Sequence, residues 1–348
     1  MRVYIPTGNA ISLKVVSYTL SKVLQKAGMI PFVSGHFYPE YVLKKRADAV
    51  IFNYPADPVY ARSYVGNYVT FKRFYGDKMM FYTTVEGRPR RVEVLAPMWN
   101  YVEFIANSNY TKRKLEEAGL KVEAVVPHGI DFEKVRAAKQ KIPILKQRLE
   151  KMIGDKVSFC YVGSTHKRKN VVGLMNAVEI LNLRENNDFV VLLLTETVET
   201  PKNVYKVAEM GSRPYDEVLA FIGACDFFVT PTQGEGFGLP VLEAMAMGKI
   251  ALHCAFEPLT EFSDPRVNIT WDYDRIETFE LEGVNRGGLT FELHHFLPDK
   301  IADAMEEAIA LKRDEPDEYK ARCKQNEKIA KRFDAKKTYK YFVDRLKR

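Results

Sequence analysis

The sequence predicts an α/β protein made of two doubly wound domains that face each other across a cleft. Two series of short apolar strands alternating with helical patterns support this prediction, one before and one after a lysine-rich stretch near residues 135–155. The fully apolar run at 189–194 is typical of a parallel-sheet strand that is covered on both faces. In such folds ligands bind beyond the carboxyl ends of the strands, so we expect the site in the cleft between the domains.

The first series begins at the amino terminus with a predicted strand at 2–6. A stripe of apolar residues at helical spacing then predicts a helix over 11–27, which Gly28 ends. Further elements of this series are a helix at 109–119 and strands at 31–35, 49–53, 79–85, 103–108 and 122–127. The stretch 133–156, which carries Pro143, is interpreted as helix and linker.

The second series restarts the strand–helix alternation after this linker. It comprises predicted helices at 170–185, 214–225 and 240–247 and predicted strands at 156–163, 188–195, 226–231 and 249–254. From Pro298 onward the pattern is helical, with a break near Pro316. We therefore divide the chain into a first domain with its linker, a second domain and a basic terminal helix, at 1–150, 151–325 and 326–348.

Composition and length describe an ordinary globular protein. The 348 residues, 46% hydrophobic and 28% charged, allow two domains with separate cores. We find no repeat or low-complexity segment, no apolar stretch long enough to cross a membrane and no signal-peptide core near the start. The four cysteines form no CxxC pair, which disfavours a disulfide framework or a zinc site and favours reduced thiols in the cytoplasm.

The net charge of +7 lies in the terminal segment 312–348. That segment holds 14 Lys+Arg against 7 Asp+Glu, and the rest of the chain balances at 38 of each sign. A basic tail on a neutral body indicates an anionic neighbour, either a membrane face or a nucleic acid. The alternative is a solvated amphipathic helix.

The stretch GEGFGLPVLEAMAMG, Gly234–Gly248, places three glycines between a predicted strand and a predicted helix, and a fourth, Gly248, ends that helix. Pro240 suits the first position of that helix. Exposed N–H groups and the helix dipole favour an anion or a hydroxylated ligand there, and glycines let the ligand approach the backbone. Glu235 in the loop and Glu243 one turn into the helix can both face the cleft, where a carboxylate can accept from two adjacent ring hydroxyls. The alternative is a plain glycine turn before a dipole-favoured glutamate.

The string EGFGLPVLEAMAMG is similar, nearly residue for residue, to the signature of the retaining glycosyltransferases with the GT-B fold, glycosyltransferase family 4 of the group 1 type. This resemblance implies two Rossmann-like domains, an acceptor-side first domain and a nucleotide-sugar-binding second domain, and a terminal helix at 326–348 that packs back on the first domain. It also implies that Glu235 contacts the donor sugar and that Glu243 holds the ribose hydroxyls. The remaining donor contacts that it implies in this loop come from the backbone around Gly236, Phe237, Gly238 and Leu239.

The stretch YVGSTHKRKNVVGLMNAVEIL resembles the family's first strand–helix turn in this domain, where a basic pair clamps the pyrophosphate. Lys169 takes the lysine position, and Asn170 opens the helix. Ser164 stands where the family usually has arginine, and Arg168 or Lys167 can supply that charge from the same loop. Fixed cations stabilise the negative charge that grows on a departing nucleoside diphosphate. The alternative for this loop is a set of solvated charges.

Four further site residues follow from the same resemblance. Met210 and Gly211 fall in the segment that contacts the nucleobase, and Gly8 falls in a first loop that faces the phosphates. Glu86 stands where the family often has a histidine beside the reacting sugar, and a carboxylate there can orient an acceptor hydroxyl or the donor sugar. The alternatives are a strand end for Met210 and Gly211, a plain turn for Gly8 and an incidental loop position for Glu86.

Some charged residues near these motifs invite other interpretations. Arg88, Arg90 and Arg91 can meet an anionic acceptor such as a lipid phosphate, or they are surface charge. We expect a structural role for His128 and a helix-capping role for Asp131.

No metal site is expected. Asp272 and Asp274 form a DxD triplet, but this fold manages the pyrophosphate with lysine and backbone groups. His294 and His295 lack further ligands at a useful spacing.

The resulting hypothesis is a cytoplasmic hexosyltransferase that needs no cofactor. The donor is a UDP- or GDP-linked sugar, and the acceptor is a hydroxyl of a glycan, a lipid or a protein-linked sugar. The catalytic residues are Glu235, Lys169 and Glu86, with retention at the anomeric carbon implied by the resemblance. No nucleic acid is expected, and the basic terminal helix offers a peripheral contact with the inner membrane face.

Three alternatives stay open. They are a nucleotide-sugar epimerase or phosphorylase on the same fold, a glycoside hydrolase, and a non-catalytic nucleotide-binding protein with a basic tail. A hydrolase is disfavoured because its two carboxylates flank one bond, whereas Glu235 and Glu243 belong to one loop–helix unit.

Overall fold

Two six-stranded parallel sheets and one small antiparallel sheet make up the computed structural model of the chain, which describes residues 1–55, 62–89, 101–280 and 289–348. Helices pack around both parallel sheets. The predicted class, an α/β protein with two parallel-sheet units, is confirmed.

The first parallel sheet comes from the amino-terminal third of the chain. Strands and helices alternate in this part of the chain. The strands up to residue 125 are β1 (Arg2–Pro6), β2 (Ile30–Ser34), β3 (Ala49–Pro55), β4 (Met79–Thr84), β5 (Gly87–Pro89), β6 (Glu103–Ala106) and β7 (Lys121–Val125). Six of them form the sheet in the order β2-β1-β3-β4-β6-β7, and β5 belongs elsewhere. The change of direction next to β1 gives this sheet the doubly wound topology.

The helices of this first part are α1 (Ile11–Lys26), α2 (Pro39–Lys44), α3 (Arg62–Tyr75), α4 (Asn109–Glu117) and α5 (Phe132–Ile153). α1 buries an apolar stripe against the sheet and ends where Gly28 adopts a positive φ of 85°. α5 is one helix of 22 residues that continues through Pro143, so the predicted helix and linker is a continuous helix.

The second parallel sheet is built from β8 (Val157–Val162), β9 (Phe189–Leu194), β10 (Val204–Ala208), β11 (Phe227–Thr230), β12 (Ile250–Cys254) and β13 (Ile269–Trp271). Its order is β10-β9-β8-β11-β12-β13. The connecting helices are α6 (Val171–Leu183), α7 (Tyr215–Ala224) and α8 (Leu239–Ala246). Pro240 therefore occupies the second helical position, one later than predicted, where its missing N–H is equally harmless because the first four amides of a helix lack partners.

An antiparallel sheet joins the two parts of the chain. Strands β14 (Arg275–Glu280) and β15 (Leu289–His295) pair with each other, and β15 also pairs with β5, where Phe291 lies opposite Gly87. β5 comes from the first part and β15 from the second, so this pairing holds the two parallel-sheet units together. The sequence did not predict it.

The carboxyl-terminal helices are α9 (Pro298–Asp314), α10 (Pro316–Ala330), α11 (Ala335–Thr338) and α12 (Lys340–Lys347). α11 and α12 return to the first sheet. The amide N of Gly129 donates to Tyr339 Oη at 3.0 Å, and Tyr341 Oη donates to Glu123 at 2.7 Å. Within the described ranges, no helix combines the length and the apolar character that a membrane crossing needs.

Candidate functional site

The glycine loop at 231–238 lies at the carboxyl end of β11 and ends at the amino end of α8. All of its residues are buried, and Glu235 is only 8% exposed. Gly238 adopts a φ of 90°, and a Cβ added there would lie 2.1 Å from Leu259 Cδ2. A larger residue is therefore excluded at Gly238 both by conformation and by space.

Four charged side chains meet beside this loop and form what we call the ion-pair cluster: Glu86, Arg168, Lys169 and Glu235. Lys169 Nζ lies 2.5 Å from Glu235 Oε1, and Arg168 Nη1 lies 3.6 Å from Glu235 Oε2. Arg168 also contacts Glu86 Oε1 at 2.5 Å. The structure thus brings together the three residues predicted as catalytic and the arginine predicted to assist them.

Burial and charge act against each other in this cluster. Burial alone would raise the pKa of Glu235, but the nearby charges of Lys169 and Arg168 outweigh it and lower that pKa. Burial and the charge of Arg168 lower the pKa of Lys169 despite the attraction of Glu235. The cluster therefore pairs two cations with two carboxylates, and Arg168, Lys169 and Glu235 are largely shielded from water.

The basic loop before α6 and the glycine loop are also joined through the backbone. Gln233 N donates to Arg168 O at 2.7 Å, and Arg168 Nη1 donates to Gly234 O at 3.0 Å. Asn170 is the residue before α6, as predicted. These bonds fix Arg168 relative to the glycine loop.

Glu243 lies outside the ion-pair cluster, in α8. Its carboxylate is buried and accepts a hydrogen bond from Tyr215 Oη at 2.7 Å. Burial raises the pKa of Glu243 to about 7, and the bond from Tyr215 offsets only part of that rise. Near neutral pH this side chain is consequently poised between its acid and its carboxylate form.

The first part of the chain supports the glycine loop from the other side of the cleft. Asn107 Nδ2 donates to Gly236 O at 3.1 Å and to Thr84 Oγ1 at 3.0 Å. A Cβ on Gly236 would lie 2.3 Å from Thr84 Oγ1, so the loop approaches β4 closely. Sequence reasoning missed Asn107, although its position directly after β6, at the carboxyl edge of the sheet, was a usable signal.

His128 stands behind this contact. Its Nδ1 lies 2.7 Å from Tyr82 Oη, its Nε2 lies 3.2 Å from Asn107 Nδ2, and its ring centre lies 4.8 Å from that of Phe237. Burial lowers the pKa of His128 to about 3, so the imidazole is neutral. The geometry agrees with the structural role expected for it.

The other predicted donor residues lie apart from the ion-pair cluster. Gly8 follows β1, and its amide donates to Asn53 O at 3.3 Å. Gly211 lies before α7, where an added Cβ would be 3.1 Å from Ile11 Cδ1 at the start of α1. Met210 is half-buried against the core. Gly211 therefore faces the first part of the chain at the amino end of α1.

Among the remaining candidates, Arg88 and Asp131 lie in the described part of the chain. Arg88 is exposed, and Arg90 and Arg91 lie outside the described residues. Asp131 caps α5 as predicted, accepting from Glu133 N at 3.0 Å and Lys134 N at 3.4 Å.

The DxD triplet and the histidine pair also have protein partners. Asp274 Oδ1 lies 2.5 Å from Lys300 Nζ, and His294 Nδ1 lies 3.0 Å from Gln233 O. Over the described part of the chain, no group of three or more His, Cys, Asp or Glu side chains is placed to hold a metal ion.

Comparison of the sequence with known proteins points to one activity. The sequence model of the family "Glycosyl transferases group 1" matches residues 145–268, which include both the basic loop and the glycine loop. An uncharacterized glycosyltransferase, number 335 of Sulfolobus islandicus rod-shaped virus 1, is 32% identical over 351 residues, which are 99% of this chain and 100% of that relative. O-antigen chain mannosyltransferase B of Escherichia coli is 31% identical over 98 residues, 25% of this chain and 26% of that relative.

Solved structures share the whole architecture. A glycosyltransferase from Rickettsia africae ESF-5 superposes with a TM-score of 0.73 at 12% identity and covers 99% of this chain and 97% of its own. Anabaena Alr3699/HepE, solved in complex with UDP and glucose, superposes with a TM-score of 0.67 at 12% identity and covers 100% and 99%. These superpositions include both parallel sheets and confirm the predicted GT-B fold.

Proposed function

Because this chain belongs to the group 1 glycosyltransferases, we propose that it moves a hexose from a nucleoside diphosphate sugar to an acceptor hydroxyl with retention at the anomeric carbon. The observation that carries the proposal is the ion-pair cluster, which sets two largely buried cations beside a loop carboxylate near the amino end of a helix. The division into domains at about residues 150 and 325 belongs to the same proposal and rests on the sheet order.

The donor would lie between the two parallel-sheet units with its diphosphate next to Lys169 and Arg168. The amides of Phe237, Gly238 and Leu239, near the start of α8, add donors for the same phosphates and the sugar. Anabaena Alr3699/HepE was solved with UDP-glucose, which supports a UDP-linked donor, and a GDP-linked donor remains the alternative.

The sugars of the donor would be held by the two carboxylates. Glu235 takes the hexose and Glu243 takes the ribose hydroxyls, because each carboxylate offers two acceptor oxygens. Gly8, Met210, Gly211 and Gly236 complete the donor contacts at the phosphates, the nucleobase and the loop.

Chemistry at this site would need no protein nucleophile and no cofactor. As the glycosidic bond breaks, Lys169 and Arg168 stabilise the departing diphosphate, whose oxygen accepts the proton of the acceptor hydroxyl on the same face. A donor phosphate that binds Arg168 competes with Glu86 for this guanidinium. Glu86 is then free to accept a hydrogen bond from the acceptor hydroxyl or from the donor sugar.

For the acceptor we propose a hydroxyl of a glycan. The Escherichia coli relative named as an O-antigen chain mannosyltransferase supports this class. A membrane contact through the basic terminal helix finds no support, because Arg345 of α12 faces the first sheet unit, where it pairs with Glu123 and donates to Asp77 O at 3.0 Å.

A panel of UDP- and GDP-sugars tests the proposal. We expect one donor to raise the melting temperature of the protein, since a ligand that binds only the folded state stabilises it. We also expect release of the nucleoside diphosphate that depends on an added glycan. Conversion of the donor without an acceptor would instead indicate an epimerase, and binding without any turnover would indicate a nucleotide sensor.

Glu243→Ala tests the proposed contact between Glu243 and the ribose of the donor. Loss of two hydrogen bonds to a charged group should weaken donor affinity about a hundredfold. Glu179→Ala, on the exposed face of α6, is the matched control and should bind the donor normally. Equal donor affinity of the two variants in calorimetry would reject the role of Glu243.

A further inference from the structure

A second concave site lies on the edge of the second sheet that is opposite the proposed donor site. This cavity has a volume of about 350 Å³ and opens where β11 and β12 begin, next to Asp226 and Lys249. The glycine loop lies at the carboxyl ends of the same strands, and Gly248, beyond the other end of α8, lines this cavity. We call it the amino-edge cavity.

The lining of the amino-edge cavity is strongly basic. Five lysines face two carboxylates, and the lysines are Lys146, Lys249, Lys312, Lys320 and Lys324. One carboxylate, Asp226, is satisfied by Lys312 Nζ at 3.1 Å and by Ser158 N and Oγ at 3.0 and 2.9 Å. The other, Glu327, pairs at 2.7 Å with Lys139, which lies outside the lining.

Most of the positive charge is therefore uncompensated. In the described ranges, Lys146, Lys249 and Lys324 form no ion pair, and Lys320 has only an exposed pairing with Asp317 one turn away at 3.1 Å. Exposed pairs of that kind contribute little. Three lysines of the cavity therefore have no ion-pair partner in the described ranges, and the fourth, Lys320, has only a weak one.

Lys249 distinguishes this cavity from a patch of surface lysines. It is half-buried, and burial lowers the pKa of its ammonium group. A charged group in such a position gains most from an opposite charge beside it. Lys312 also lies over the ring of Tyr319 with Nζ 4.2 Å from the ring centre, so one wall of the cavity is held in place.

We propose that the amino-edge cavity binds a dissolved small molecule that carries two or more phosphate groups. Its volume falls within the range of about 300–1,000 Å³ that is typical of small-molecule sites. Lysine ammonium groups are strong partners for phosphate oxygens. Three unpaired lysines and the weakly paired Lys320 exceed what one phosphate group neutralises, which favours a ligand with at least two. This ligand would be distinct from the sugar donor, which is proposed to bind at the opposite edge of the second parallel sheet.

Calorimetry of the full chain with inorganic pyrophosphate tests this proposal. The variants are Lys146→Glu/Lys324→Glu, in which two exposed lining lysines are reversed, and Lys169→Ala, which disables the donor side. We expect pyrophosphate affinity to fall roughly tenfold or more in the double variant. Lys169→Ala should retain one pyrophosphate site, because its substitution lies at the other edge of the sheet.

Lys121→Glu/Lys151→Glu makes the same change in net charge at exposed positions outside the cavity and serves as the control. This control should bind pyrophosphate as the unmodified protein does. An equal loss of affinity in the control, or undiminished affinity in Lys146→Glu/Lys324→Glu, would overturn the proposal. Sedimentation with phosphatidylcholine–phosphatidic acid vesicles, in the absence of any binding of free pyrophosphate, would overturn it too and point to a lipid headgroup.

Discussion

Glu243, which we propose as the ribose ligand, is a buried carboxylate whose ionisation destabilises the fold. The pKa of Glu243 in the folded protein is about 7, above the ordinary value of 4.5. Between these values the folded state holds a proton that the unfolded state has lost, so stability falls as pH rises from about 4.5 through 7. Above pH 7 the full cost, about 3 kcal/mol, is present.

We therefore expect Glu243→Gln to stabilise the fold at pH 8 by up to about 3 kcal/mol and to change stability by less than about 1 kcal/mol at pH 5. Denaturant titrations at the two pH values measure this difference. Glu179→Gln on the exposed face of α6 should show no such pH dependence. A gain that is equal at both pH values would contradict the assignment of the effect to ionisation.

The residues of the candidate site differ in how clearly the sequence indicates them. Glu235 and Lys169 stand in strings whose glycines and strand–helix positions mark them. Asn107 does not stand in such a string. Its role depends on Gly236, 129 positions further along the chain, and a hydrogen bond of that span appears only once both sheets are in place.

Among the elements, α12 depends most visibly on contacts with a distant part of the chain. Phe342 is fully buried, and its ring centre lies 5.2 Å from that of Tyr82 in β4. We expect Phe342→Ala to lower the free energy of unfolding by about 3–5 kcal/mol, the usual cost of removing a buried ring. Denaturant unfolding followed by circular dichroism measures the loss.

Phe74 provides the control for this prediction, because it is also a phenylalanine of a helix but is 81% exposed. Phe74→Ala should change stability by less than about 0.5 kcal/mol. If the two variants unfolded alike, α12 would not be anchored on the first sheet as described. The basic charge of this helix would then need a different explanation.

Elements with local signals were predictable, and those with distant partners were not. The parallel strands appear in the sequence as apolar runs because helices cover both of their faces, and the structure has β8, β9, β11 and β12 where such runs were noted. β5 has three residues, and it pairs with β15 about 200 positions later. Neither its length nor any local turn indicates that pairing, so no pattern in the sequence revealed the antiparallel sheet.

At the scale of the whole molecule, α4 carries hydrogen bonds and an ion pair between the first part of the chain and the second. Glu261 accepts from the amides of Asn109 and Tyr110 at 2.9 and 2.7 Å, so it satisfies the open amino end of α4 from across the cleft. Glu292 on β15 lies 2.6 Å from Lys114 Nζ, and both side chains are largely buried. These two glutamates therefore hold the cleft closed beside the ion-pair cluster.

We expect Glu261→Ala/Glu292→Ala to loosen the closed arrangement, because α4 then loses charged acceptors that its amides and Lys114 cannot replace. Small-angle scattering should show a radius of gyration above the value of about 20 Å expected for a compact chain of this length. The KM for the donor should rise, since the ion-pair cluster contains residues from both parts of the chain.

Glu257→Ala is the control, because the side chains of its ion pair with Arg113 are 42–46% exposed and such pairs contribute little. An unchanged radius of gyration in the double variant would mean that the pairing of β15 with β5 closes the cleft without help from α4.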